Sequence, residues 1–435
     1  MNSFLIIGVF LLVLVLMVYS SVKHKLNPFF GLVIASVAIG LIFFDDKSTI
    51  FVVVGNGFGK MLANIAFIII FGALLGELLF RAHAFQSVSA LIFRGPMKRY
   101  PDLALGCIGL IVGIPVFCDS GYMVLRNLKV ALGGTKNQKM RNTLMLATGL
   151  YLAHTLVPPT PGPLIIVEAL DLSGQLTIFI LFGALLSLTT LFLVFFLNRH
   201  RYRAEINETK TAFDIKSDNL PKVYRGLIPL LLPLILIAMG SLSKIIGFTE
   251  PWLQTIGNPA MALFLSCLIA ILLNPGLFSQ VPQISSDTLS KVAPVLLLTG
   301  AGGAFGAVMA QTGFIEYINI QSGDGLLILV LVAFGIAALI KSLQGSSTGA
   351  IVVTSALLAP LLIKYDFKLL ENLALYIAIG GGSMIASHTN DSYFWVITKF
   401  ENYSLKNAIK GWTITSIFLG LFNLMVALVI ASLVQ

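Results

Sequence analysis

Residues 113–121 read Gly-Ile-Pro-Val-Phe-Cys-Asp-Ser-Gly, in the middle of an apolar run over 102–130. The run exceeds the ~20 residues of one bilayer crossing. Pro115 removes a backbone donor, and Gly113 and Gly121 loosen the helix around it. At membrane depth such a break is tolerated only where the backbone is buried in protein or lines a cavity. An Asp at the centre of a membrane helix costs about 2.5–3.5 kcal/mol on insertion scales, which makes Asp119 a candidate functional residue, with Ser120 and Gly121 beside it. The plainer reading is a neutral capping group at the start of a half-helix.

A second interrupted run, 325–363, contains Lys341-Ser-Leu-Gln-Gly-Ser-Ser-Thr-Gly349. Gln344, Ser346, Ser347 and Thr348 offer neutral donors, and Gly345 lets the backbone approach a ligand. A half-helix N-terminus suits a carboxylate, and Lys341 adds a full positive charge. Together they describe an anion site that also recognises hydroxyls. The plainer reading has Lys341 snorkelling to an interface and the hydroxyls bonding to their own helix.

Outward from these breaks, the composition sets the class. The chain has 435 residues, 57% of them hydrophobic and 11% charged, against roughly 25% charged in a soluble domain. That excludes a soluble enzyme, a disordered chain and a disulfide scaffold. We expect an all-α polytopic membrane protein with about 12 transmembrane segments, from 4–20 to 411–434. The first run is read as an uncleaved helix, because no basic region precedes it. The net charge of +9 is assigned to cytoplasmic loops rather than to nucleic-acid binding. Cys107, Cys118 and Cys267 are widely spaced and imply neither a disulfide nor a zinc framework.

The hydrophilic stretch 199–222 divides the chain into 1–198 and 223–435 and reads as a cytoplasmic linker. The halves look alike. Asn27-Pro28, Gly72-x-x-x-Gly76, Asp119-Ser120-Gly121 and Ala153-His154-Thr155 return as Asn258-Pro259, Gly302-x-x-x-Gly306, Ser347-Thr348-Gly349 and Ser387-His388-Thr389, each about 230 residues later. An internal repeat with matching breaks points to a secondary transporter, with its site where the breaks meet. The short apolar pieces 84–93 and 314–320 read as returning arms of two re-entrant hairpins, and 102–130 and 325–363 as two broken helices. Whether the repeats are inverted depends on whether those hairpins cross, and the loop charges leave it open. If they do not cross, Arg94, Lys98 and Arg99 lie outside.

His154 precedes Val157-Pro-Pro-Thr-Pro-Gly-Pro163, where four prolines end any helix. His388 is followed by Thr389-Asn390-Asp391. Asp119, His388, Asp391 and His154 are the proton-coupling candidates, since histidine titrates near physiological pH. Lys341, Gln344, Gly345, Ser346, Ser347, Thr348, Ser120, Gly121 and Asn390 are the substrate-binding candidates. Nothing fixes a metal geometry, and no cofactor is expected. Gly55-x-Gly57-x-Gly59-Lys60 lacks the spacing and context of a phosphate loop.

At these motifs the chain resembles the gluconate:proton symporter family. The resemblance runs through most of the chain. It is carried by Gly57-Phe-Gly-Lys60, Gly72–Gly76, Phe117–Gly121, His154-x-x-x-Pro-Pro-x-Pro-Gly-Pro163, Gln344–Thr348 with Ala359-Pro360, and Ser387-His-Thr-Asn-Asp391. It implies import of gluconate or a related hydroxylated monocarboxylate with protons across the bacterial inner membrane. It also implies the architecture of a larger ion-transporter superfamily: two inverted repeats, two re-entrant hairpins, a homodimeric scaffold and an elevator motion. Two departures stand out. The turn Phe80-Arg-Ala-His-Ala-Phe85 lacks the Ser/Thr-Gly of Thr312-Gly313. Lys341 stands where the resemblance leads us to expect arginine, and lysine gives up the bidentate grip on a carboxylate. The competing readings are a sodium-coupled carboxylate or amino-acid carrier, a passive channel, and an intramembrane enzyme using His154 and His388.

Overall fold

The computed structural model describes Lys23 and residues 27–94, 96–132, 134–203, 221–245, 247–248, 250–312, 324–365 and 367–434. The expected first crossing at 4–20, most of the linker and the returning arm at 314–320 lie outside the described residues.

Asn27 opens the first described helix, α1 (Pro28–Phe43), where its side chain accepts from the Phe29 amide and Pro28 takes the first helical position. It is followed by α2 (Ile50–Arg81) and, after a turn at Ala82-His83, by α3 (Ala84–Arg94). Then come α4 (Pro101–Gly113), α5 (Cys118–Leu132), α6 (Lys136–Leu156), α7 (Pro161–Ala169) and α8 (Leu176–Arg201). Beyond the linker, α9 (Tyr224–Ile245) precedes α10 (Pro259–Leu273), which Asn258 caps as Asn27 caps α1. The rest are α11 (Val281–Gln311), α12 (Asp324–Gln344), α13 (Ser347–Lys364), α14 (Leu369–Gly382), α15 (Ser392–Phe400) and α16 (Ile414–Val434). Regular structure among the described residues is all helical. Seven helical stretches there are long and apolar enough to cross a bilayer. Large apolar side chains such as Phe51, Leu181, Ile328 and Leu433 point outward, as helices in lipid require.

The breaks differ from the expectation. The arm expected at 62–80 is the end of α2, an unbroken helix of 32 residues and about 48 Å, long enough to cross a bilayer on its own. Gly57 and Gly303 lie where α2 comes close to α11, and a Cβ on Gly57 would sit 2.6 Å from the Gly303 carbonyl oxygen. The glycines lower the hydropathy of 55–60 without ending the helix.

The run 102–130, expected to be a broken crossing, doubles back instead. Asp102, near the start of α4, lies 3.6 Å from Arg141, near the start of α6. Gly109 meets Leu146 and Leu150, and Gly113 meets Leu150 and Ala153, so α4 and α6 run parallel. Between them α5 returns: its start, Gly121, packs on Leu150, and near its end Lys129 reaches Thr143 at 3.0 Å. The run 325–363 does the same. Its two helices α12 and α13 pack on each other, and α12 runs beside α14 with Phe334 against Gly382 and Lys341 beside Asp391. The straight interruptions lie one helix later, at 157–160 between α6 and α7 and at 383–391 between α14 and α15. Hydropathy reports where a helix is broken and is silent on whether the chain then turns back.

The ends also sort differently. The Arg99 and Arg199 guanidiniums lie 5.9 and 4.9 Å from the Tyr100 ring, so Arg99 sits at the same end as the basic linker, not opposite it. Residues Arg141–Leu156 of α6 are all buried, which places this helix at the centre of the molecule.

Candidate functional site

Three helix starts converge at mid-molecule: Cys118 of α5, Ser347 of α13 and Ser392 of α15. The end of α6 meets them, where the Tyr151 hydroxyl lies 2.8 Å from Ser347 Oγ and His154 Nε2 lies 3.2 Å from Thr348 Oγ1. They enclose a cavity of about 560 Å³. A second cavity of about 420 Å³, between α2, α9 and α10, has no ionisable side chain in its lining. The first is therefore the candidate site.

The local backbone follows from the sequence. Gly345 turns the chain with φ +75°, and a Cβ there would lie 2.0 Å from the Asn390 carbonyl oxygen, so only glycine fits. Ser346 caps α13 by accepting from the Gly349 amide at 3.0 Å. Asp391 caps α15 by accepting from the Tyr393 amide at 3.0 Å. On the far side of the first tip, Gly76 of α2 approaches the Pro115 carbonyl so closely that a Cβ would sit 2.2 Å from it. Gly76 thus seats the turn between α4 and α5, while Gly72 faces Leu263 of α10.

Of the proton candidates, Asp119, Asp391 and His154 line the cavity. The Ser392 hydroxyl donates to Asp119 Oδ2 at 3.1 Å, and among the described residues no cationic side chain pairs with that carboxylate. His154 is 7% exposed, and its Nδ1 has no partner there. His388 is half-buried, with Nδ1 3.5 Å from Thr389 Oγ1, and is not part of the cavity wall.

Of the substrate candidates, Gln344, Gly345, Ser346, Ser347, Thr348 and Ser120 line the cavity. Both side-chain amide atoms of Gln344 are buried and have no hydrogen-bond partner among the described residues. Gly121 lies behind the first tip, on a smaller cavity of about 290 Å³. Asn390 faces α12, where its amide donates to the Ser342 carbonyl at 2.5 Å. Lys341 departs most from expectation. It is 1% exposed and absent from the cavity wall, with Nζ 2.6 Å from Asp391 Oδ2 and 3.1 Å from the Gly345 carbonyl. A buried ammonium requires such partners, and its charge is spent on Asp391.

Behind the wall, Ser387 Oγ donates to Asp391 and accepts from Trp412 Nε1 at 2.8 Å. Tyr151, Tyr393 and Trp412 pack ring to ring with centroids 5.3–5.5 Å apart and hold the two breaks in register. Lys291 of α11 also lines the cavity. Sequence reasoning passed over it as the flank of an apolar run, although an ionisable residue at that edge was the available signal. Tyr151 carried no signal, since an aromatic in an apolar helix reads as core. Among the described residues no three His, Cys, Asp or Glu side chains are placed to hold a metal ion.

The GntP family permease model matches residues 3–434. The Gnt-II system L-idonate transporter of Escherichia coli K12 is 26% identical over 432 residues, covering 96% of each chain. A high-affinity gluconate transporter of the same strain is 27% identical, again over 96% of each chain. The crystal structure of the Alcanivorax borkumensis YdaH transporter superposes with a TM-score of 0.58 at 16% identity, over 85% of this chain and 86% of that one. That similarity supports the fold. The chain belongs to the GntP permease family: it is a membrane-spanning permease and not an enzyme.

Proposed function

We propose that this permease imports gluconate or a related small hydroxylated monocarboxylate together with protons. The observation that carries the reading is Asp119, a carboxylate without a cationic partner among the described residues, in the same cavity as a set of hydroxyls and helix starts. The helix starts favour an anion, and Gln344, Ser346, Ser347, Thr348, Ser120 and His154 suit a chain of hydroxyls. An ionised Asp119 repels a bound carboxylate at short range, whereas a protonated one does not. Anion and proton therefore bind better together than apart, which is the thermodynamic content of symport. Asp391 is tied to Lys341 and serves as the cap that positions α15. His154, in contact with Thr348 and without a partner at its buried Nδ1 among the described residues, is a second proton carrier; His388 is kept only as an outer relay.

The proposed architecture has two repeats on either side of the linker, with α4–α5 and α12–α13 as re-entrant hairpins. Its support is the recurring order of a long helix (α2, α11), a doubled-back pair, a broken helix (α6–α7, α14–α15) and a final helix (α8, α16). In the first pair, α4 and α5 span 13 and 15 residues, short of one crossing, whereas α12 of the second pair is by itself long enough to cross. An elevator motion would carry both tips past α2 and α11, and cross-linking of the detergent-solubilised protein tests the dimeric scaffold. Uptake of labelled gluconate into proteoliposomes tests the whole reading. Accumulation driven by an inward proton gradient supports it; accumulation driven only by sodium replaces the proton with sodium.

A further inference from the structure

With Lys341 committed to Asp391, the cavity still needs a cation for a carboxylate. Among the described residues Lys291 is the one lysine or arginine that lines it. Its side chain is 47% exposed, and its Nζ lies 2.6 Å from Glu77 Oε2. Glu77 has a second partner, since Arg81 Nε lies 3.2 Å from Glu77 Oε1. Arg81 in turn reaches Asp287 Oδ2 at 3.0 Å. Four charges thus sit on α2 and α11 next to the first tip, in the order Lys291, Glu77, Arg81, Asp287.

We infer that Lys291 recognises the carboxylate of the transported anion and that Glu77 is its resting partner, exchanged for the substrate on binding. The inference rests on the proposed function above and adds the residue that selects an anion. The exchange leaves no charge stranded. When Lys291 turns to the substrate, Glu77 keeps Arg81, and Arg81 keeps Asp287. The lysine end of the pair is half-exposed and screened by solvent, although Glu77 is only 11% exposed, so an entering carboxylate has access to the ammonium and competes with Glu77 for it. Lysine suits the task, as a compact ammonium on a flexible stem with rotatable donors. Lys291 also lines the 290 Å³ cavity on the other side of the tip, together with Glu77, Phe117 and Ser120. It therefore has room on both faces of 117–120. Pro294, one turn further along α11, takes a backbone donor away from the Ser290 carbonyl and loosens the helix next to Lys291. The substrate's head is then held from α11 and its hydroxyl tail from the tips of α5 and α13.

The test measures labelled gluconate uptake by the full chain in proteoliposomes, with gluconamide as a neutral competitor. Lys291→Gln should raise the gluconate KM roughly tenfold to a hundredfold, the loss of one charge-assisted hydrogen bond. Its preference for gluconate over gluconamide should collapse. Lys291→Arg, which keeps the charge, should stay within a few-fold of wild type. Glu77→Gln frees Lys291 and should lower the KM, a change in sign that a packing defect does not produce. Wild-type uptake with an unaltered KM in Lys291→Gln overturns the inference alone. Absence of wild-type uptake of any sugar acid overturns the inference and the proposed function together. Loss of discrimination in Lys291→Gln with retention in Lys291→Arg supports both.

Discussion

Lys341 Nζ lies 2.6 Å from Asp391 Oδ2, and neither side chain is more than 3% exposed. Removing one member of such a pair strands the other in a low-dielectric interior, at a cost of about 3–5 kcal/mol. Lys341→Ala should therefore lower the thermal unfolding midpoint of the purified protein markedly. The double variant Lys341→Met/Asp391→Asn should recover part of the loss. A Lys341→Ala protein of unchanged midpoint but raised KM would return Lys341 to the anion site.

The contact of His154 Nε2 with Thr348 Oγ1 at 3.2 Å ties the first straight break to the second tip. Thr348→Val removes the hydroxyl and keeps the shape. The gluconate KM should rise several-fold, consistent with one neutral hydrogen bond of about 1 kcal/mol. Competition by a short acid such as glycerate should change less. Equal effects on both acids would place the hydroxyl tail elsewhere.

Gly345 has a φ of +75° and no room for a Cβ, whereas a Cβ added to Gly55, inside α2, would meet nothing within 4 Å. Gly345→Ala should displace the tip from Asn390 and abolish uptake at normal expression, while Gly55→Ala should leave uptake intact and gain about 0.5–1 kcal/mol of helix stability. Uptake and expression of both variants check this. An active Gly345→Ala protein would show that the turn is not held as described.

Much of the cavity wall could be read from the sequence, because membrane breaks are chemically loud. Pro115, Asp119 and the polar run 344–348 interrupt apolar stretches, and the cavity lies where they meet. The sense of each break was not legible. A hairpin such as α4–α5 and a broken crossing such as α6–α7 have the same local chemistry. Only long-range contacts like Asp102 with Arg141 separate them. Lys341 was misplaced for a related reason. A lysine beside a tip looks like an anion ligand until its partner, fifty positions away, is known. Lys291 was missed because its partner Glu77 lies on another helix and has a partner nearer in sequence in Arg81, four residues on.

Asp119 carries the central claim, and one assay addresses it directly: labelled gluconate in proteoliposomes containing wild type or Asp119→Asn, under a proton gradient and in counterflow without one. Wild type should accumulate gluconate only with the proton gradient, and raising the outside pH should reduce that accumulation. Asp119→Asn should lose accumulation yet still exchange labelled for unlabelled gluconate, because its amide is permanently neutral. Full proton-driven accumulation by Asp119→Asn would contradict the account and move the coupling site to another group in the cavity.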